Sequence, residues 1–212
     1  AGGYSMGNLK KKFSDYQKIP TKIKAIINFF YSENFIKVLE KKFDLKGIQP
    51  DWGLHGGGMH QSPRGGFLKI HSDFIYRRNF NTRRVLNLLL YLNTNWKEEW
   101  GGALELWDKK MKNVCKKVPP ISNNIIIFRT DKNSNHGFPD PLLCPENITR
   151  KSIALYYYIE EKPFFPFSIK WRKFYITNWK KRPNSDESAF VVRQDNLWRR
   201  IKYGYLPRIF KN

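Results

Sequence analysis

Gly66-Phe67-Leu68-Lys69-Ile70-His71-Ser72-Asp73-Phe74 is the stretch on which the reading of this chain turns. Residues two apart on an extended strand point to the same side, so His71 and Asp73 converge on one point. Together they offer one nitrogen and one oxygen. A second histidine well downstream would complete a two-histidine, one-carboxylate face, which suits non-haem Fe(II) and leaves coordination positions open. The chain has four histidines, and His136 lies in a suitable place. Alone, His-x-Asp is a common chance pair. Its surroundings decide.

On the C-terminal side the pattern is that of β-strands. Residues 85–92 form a short, nearly continuous apolar run, as in a strand covered on both faces. Residues 102–107 alternate with period two. Residues 114–118 are a basic strand candidate closed by Pro119-Pro120, and residues 124–129 and 152–159 are further buried runs. Many short strands separated by Gly, Pro and Asn point to a β-sandwich or barrel. On the N-terminal side, residues 51–66 hold six glycines and read as a loop or irregular strand. Gly56-Gly57-Gly58 is no phosphate loop, because neither Gly-Lys-Ser/Thr nor a helical pattern follows. His60 and Gln61 lie here, and a histidine in such a loop is either structural or a ligand. Further upstream, Ile23, Ile26, Ile27 and Phe30 recur at helical spacing after Pro20. Ser32 is placed to cap a second helix carrying Phe35, Ile36, Leu39 and Phe43. Two amphipathic helices ahead of β-rich sequence are expected to cover one sheet.

A chain of 212 residues fits one domain with an extension. No apolar run is long enough for a spanning helix, and the N-terminus lacks the pattern of a signal peptide. Residues 1–5 read as a cloning remnant. Cys115 and Cys144 read as reduced thiols of an intracellular, cytoplasmic protein. The bulk anomaly is charge. With 39 basic against 18 acidic residues, the chain carries +21. Such a charge attracts polyanions, nucleic acid among them; it equally reflects a vocabulary rich in lysine, asparagine and isoleucine.

Six motifs then occur in order: residues 57–61 (Gly-Gly-Met-His-Gln), 66–74, 88–93 (Leu-Leu-Leu-Tyr-Leu-Asn), 101–108 (Gly-Gly-Ala-Leu-Glu-Leu-Trp-Asp), 136–141 (His-Gly-Phe-Pro-Asp-Pro) and 150–158 (Arg-Lys-Ser-Ile-Ala-Leu-Tyr-Tyr-Tyr). Together they closely resemble the 2-oxoglutarate- and Fe(II)-dependent oxygenases, specifically the prolyl-4-hydroxylase-like bacterial and viral branch. The resemblance implies a mainly β fold, a double-stranded β-helix or jelly roll, with the N-terminal helices on one sheet. It implies His71, Asp73 and His136 as iron ligands, with 2-oxoglutarate and O2 as cosubstrates and ascorbate as a reductant. Arg150 matches the residue that pairs with the distal carboxylate of 2-oxoglutarate, a role that suits a planar, permanent cation. Tyr91 matches the phenol that joins it. Period-two alternation puts Arg150, Ser152, Ala154 and Tyr156 on one face, so Ser152 and Tyr156 are expected to line the same cavity. Tyr91 and Tyr156 remain open to a reading as plain core aromatics. Arg84 matches a rim position near substrate, and His60 and Gln61 are further substrate candidates. The presence of Asp73 implies hydroxylation rather than halogenation.

One departure stands out. Prolyl hydroxylases commonly place tyrosine three residues before the first ligand, and this chain has Leu68 there. The implied substrate is a protein or peptide side chain, prolyl first, with oxidation of nucleic acid as the alternative. The resulting organisation is residues 6–50 as packed helices, 51–160 as the catalytic core and 161–212 as a basic, aromatic extension. Residues 162–212 carry 13 basic and 3 acidic residues interleaved with Trp and Tyr. That mixture serves either to grip single-stranded nucleic acid or to pack aromatics on a sheet.

Overall fold

The structure is a computed structural model that describes residues 7–8, 11–77, 81–161, 176–183 and 185. Strands β1 (Gly7–Asn8) and β2 (Lys11–Phe13) precede helices α1 (Thr21–Phe30) and α2 (Glu33–Phe43). Next come β3 (Gln49–Pro50), β4 (Gly58–Ser62), β5 (Phe67–Ser72), β6 (Tyr76–Arg77) and β7 (Thr82–Tyr91). The last are β8 (Leu104–Trp107), β9 (Val114–Val118), β10 (Ile125–Arg129), β11 (Asn135–Phe138), β12 (Arg150–Glu160) and β13 (Asn178–Trp179).

Both helices lie where the apolar spacing puts them. Pro20 stands at the entrance to α1, and the Ser32 hydroxyl accepts a hydrogen bond from the Phe35 N–H at the start of α2. Among the described residues the strands form two sheets. The larger runs β10-β7-β12-β4-β2 with β3 and β6 attached; the smaller runs β1-β5-β11-β8-β9 with β13 attached to β5. From β4 onward the chain shuttles between them: β4 larger, β5 smaller, β7 larger, β8 and β9 smaller, β10 larger, β11 smaller, β12 larger. That alternation is a double-stranded β-helix.

The main core lies between the helices and the outer face of the larger sheet. Ile27, Phe30 and Leu39 meet Leu86, Leu88, Leu155 and Tyr157 there, all buried. Each such aliphatic side chain contributes roughly 1.5–3 kcal/mol. The other face of the same sheet looks toward the smaller sheet and carries the polar residues.

A β-bulge decides which residues reach that face. On β12, Tyr158 pairs with Arg84 and Tyr157 with Leu86, so Val85 is the extra residue on β7. Val85 and Leu86 both enter the helix-side core. Arg84 is thereby turned to the same face as Asn87 and Leu89.

Several expectations are revised. The glycine-rich residues 51–66 contain a regular strand, β4, held between β12 and β2. The N-terminal region contributes β1 and β2 as well as helices. Residues 1–5 and most of 161–212 lie outside the described residues, but 178–179 form β13. Among the described residues, no helix is long and apolar enough to cross a membrane. Cys115 is exposed and Cys144 buried, and they form no disulfide.

Candidate metal centre and cosubstrate pocket

Strands β5 and β11 pair antiparallel with His71 directly opposite His136. Gly137 makes the approach close, since a Cβ there would lie 2.6 Å from the Leu68 carbonyl oxygen and 2.8 Å from that of Lys69. The two imidazole centroids are 4.5 Å apart. Asp73 follows directly after β5, and the ligating atoms of His71, Asp73 and His136 all lie within 4.8 Å of one another.

The ring nitrogens are sorted by the backbone. His71 Nδ1 lies 2.8 Å from the Lys69 carbonyl oxygen and His136 Nδ1 lies 2.8 Å from that of Ser134. A carbonyl only accepts, so both rings donate through Nδ1 and keep Nε2 as a lone-pair donor to a metal. Each Nε2 faces Asp73, at 3.5 Å for His71 and 3.7 Å for His136. Burial, reinforced by neighbouring His71, pushes the His136 imidazole down to about 4, so it is neutral near pH 7. Burial opposes ionisation of Asp73, but the Arg84 guanidinium and the two histidines outweigh it and hold the carboxyl well below the usual range. Two imidazole nitrogens and one anionic oxygen aimed at one point fit a divalent ion that keeps open positions.

Asp73 Oδ2 accepts from Arg84 Nη1 at 2.9 Å and from Asn87 Nδ2 at 2.8 Å. Arg84 is not on a rim, as the sequence suggested. It is 1% exposed, with its guanidinium stacked between Phe74 at 4.0 Å and Tyr156 at 3.8 Å. The bulge at Val85 is the physical reason.

These side chains border a cavity of about 230 Å³, and Arg150 lines it too. Arg150 is 5% exposed and donates from Nε to the Gly102 carbonyl at 2.8 Å and from Nη2 to Tyr91 Oη at 3.3 Å. Both partners are neutral, and among the described residues no carboxylate lies within salt-bridge reach of it. Burial lowers its pKa, with Tyr91 countering in part. A positive φ of 75° at Gly102 suits only glycine comfortably, and a Cβ there would meet Leu142 at 2.5 Å.

Ser152, Tyr156 and His60 also line the cavity. Tyr91 is fully buried behind Arg150 and does not line it. Gln61 does not share its neighbour's place. It is exposed and donates to Thr149 Oγ1 at 2.9 Å, because alternation along β4 turns it away from His60 and Ser62. Three residues were missed. Asn87 was signalled by its polarity within a leucine run. Phe128 packs on His136 at 5.0 Å and Trp179 on His71 at 5.0 Å, with no local sequence signal for either.

The model of the family described as the 2OG-Fe(II) oxygenase superfamily matches residues 57–158, nearly all of the strands that build this pocket. Through that segment, just under half of its length, the chain is similar to the 2OG-Fe(II) oxygenase superfamily. That family is named for 2-oxoglutarate and Fe(II), and the two-histidine, one-carboxylate donor set of this pocket suits such an ion. Among solved structures, the chain is similar to a prolyl-4-hydroxylase of Pseudomonas putida at 14% identity and a TM-score of 0.48, covering 71% of this chain and 70% of that one. A prolyl hydroxylase of Trichoplax adhaerens, in complex with a hypoxia inducible factor peptide fragment, shares 21% identity at a TM-score of 0.46. The match covers 71% of this chain but only 62% of that one, less than two thirds of its length. A viral collagen prolyl hydroxylase of Paramecium bursaria Chlorella virus-1 shares 14% identity at a TM-score of 0.47, covering 71% of this chain and 77% of that one. No curated protein matches the sequence.

Proposed function

We propose that this chain hydroxylates an unactivated C–H of a protein or peptide side chain, prolyl by motif resemblance. His71, Asp73 and His136 hold Fe(II), and Arg150 anchors the distal carboxylate of 2-oxoglutarate. The observation that carries this reading is Arg150, a buried cation at a cavity wall whose hydrogen-bond partners among the described residues are all neutral. Such a group calls for an anion. A guanidinium matches a carboxylate with two parallel donors.

The chain's own residues divide the work. Gly102 and Tyr91 fix the guanidinium. Ser152 and His60 face the cosubstrate from the adjoining rows of β12 and β4. Leu89, Leu104 and Phe138 supply apolar wall that excludes water, and Trp179 covers His71. Iron and 2-oxoglutarate, when bound with O2, supply oxidative decarboxylation to succinate coupled to C–H hydroxylation, with ascorbate as an external reductant. Residues 51–160 act as the catalytic core, 6–50 cover it and 161–212 extend it, in a reducing cytoplasm that keeps both thiols free.

Oxidation of nucleic acid is the second reading, favoured by the +21 charge. Mass spectrometry of proline-containing peptides and of oligonucleotides, after incubation with Fe(II) and 2-oxoglutarate, separates the two. The first reading predicts a gain of one oxygen on peptide. Oxygen gained on oligonucleotide alone contradicts it.

A further inference from the structure

We propose that Asn87 is the positioning residue that makes Asp73 a one-oxygen ligand. The proposal rests on the metal site described above. Asn87 sits in the middle of β7, with Leu86 before it and Leu88 after it, and is 2% exposed. A carboxamide buried in a leucine run is costly unless it is used. It is used on one atom, since Asn87 Nδ2 donates to Asp73 Oδ2 at 2.8 Å. The same oxygen takes Arg84 Nη1 at 2.9 Å.

Two donors on one oxygen have a geometric consequence. A carboxylate oxygen has two lone pairs in its plane, and both of those on Oδ2 are spoken for. Oδ2 also lies 3.7 Å from His136 Nε2, but Oδ1, 3.5 Å from His71 Nε2, is the oxygen that neither Arg84 nor Asn87 engages. One donor alone would let the carboxylate turn and offer both oxygens to a metal. Two donors, from positions on either side of the bulge, fix its torsion. The bulge is part of the device, because an unbroken strand would turn Arg84 and Asn87 to opposite faces.

The orientation of the amide is dictated by chemistry. An ionised carboxylate only accepts, so Asn87 must present Nδ2 to it. Asn87 Oδ1 then has no hydrogen-bond partner among the described residues. A leucine of similar size would carry no such orphan. A leucine would also forfeit the hydrogen bond to Asp73, so the amide's net contribution to stability is small and its hold on Asp73 is what it supplies.

The test is Co(II) binding to the metal-free protein, followed by titration and by the absorption spectrum of the bound ion. No turnover is needed. Asn87→Leu should weaken Co(II) binding about 10- to 100-fold and alter the spectrum as Asp73 becomes free to bind through both oxygens. Its melting temperature without metal should stay level or rise, which a purely structural role would not give. Asn87→Ser, too short to reach Asp73, should show the same loss and decides the matter if the leucine variant does not fold. Wild-type affinity and spectrum in the folded variants would overturn the proposal. His71→Ala separates the two levels of the argument. If it too keeps full Co(II) affinity, the metal site itself is wrong; if it alone loses affinity, only the role of Asn87 is wrong.

Discussion

The two faces of the larger sheet are built from the same strands yet obey different rules. On β7 and β12, Leu86, Leu88, Leu155 and Tyr157 face the helices and form an apolar core. Asn87, Leu89, Arg150, Ser152 and Tyr156 face the opposite way and line a cavity with polar groups and a cation. The first face is satisfied by folding alone. The second is not, because a guanidinium and an acceptor amide oxygen are buried there ahead of any ligand. One side of each strand therefore sets stability, and the other stores the cost of a site.

The comparison predicts opposite phenotypes for neighbouring residues. On the helix side, Leu155→Ala should destabilise the fold by about 2–5 kcal/mol in denaturant unfolding, with the KM for 2-oxoglutarate unchanged in the folded fraction. On the cavity side, Arg150→Met should do the reverse. Loss of the fork leaves the cosubstrate carboxylate unpaired, a cost on the order of 2–5 kcal/mol, so the KM for 2-oxoglutarate should rise at least tenfold. The melting temperature without ligand should hold or increase, since a desolvated cation is gone. A large fall in stability with KM intact would show that Arg150 belongs to the core.

Tyr91→Phe removes the hydroxyl that accepts from Arg150 Nη2, a hydrogen bond with one charged partner worth roughly 1.5–3 kcal/mol. Its KM effect should be smaller than that of Arg150→Met, with Fe(II) affinity level. The smallest effect is expected at Gln61→Ala. Next to His60 in sequence, Gln61 is exposed and turned from the cavity, so turnover and stability should both stay near wild type. A KM change there would mean that strand alternation does not separate the two faces at β4.

The helix-side core was legible in the sequence because leucines and isoleucines recur at the helix and strand periods, and burial follows period. The cluster of His71, Asp73 and His136 was legible because His71 and Asp73 are one strand step apart and few histidines compete with His136. Legibility stopped where geometry broke the period. Alternation counted back from Tyr91 puts Arg84 on the helix side, and nothing in Arg83-Arg84-Val85 announces the bulge that turns it inward. Trp179 is far from His71 in sequence, and only the pairing of β13 with β5 brings them together. Asn87 is the exception. A lone amide inside a leucine run was visible, and it reported a buried polar partner.

The most direct test of the account is succinate formation from 2-oxoglutarate, measured with and without Fe(II), in the wild-type protein and in Asp73→Ala. The account predicts iron-dependent succinate in the wild type and its loss in the variant, with the fold intact by circular dichroism. Undiminished succinate from Asp73→Ala would contradict the assignment of His71, Asp73 and His136 as the metal centre.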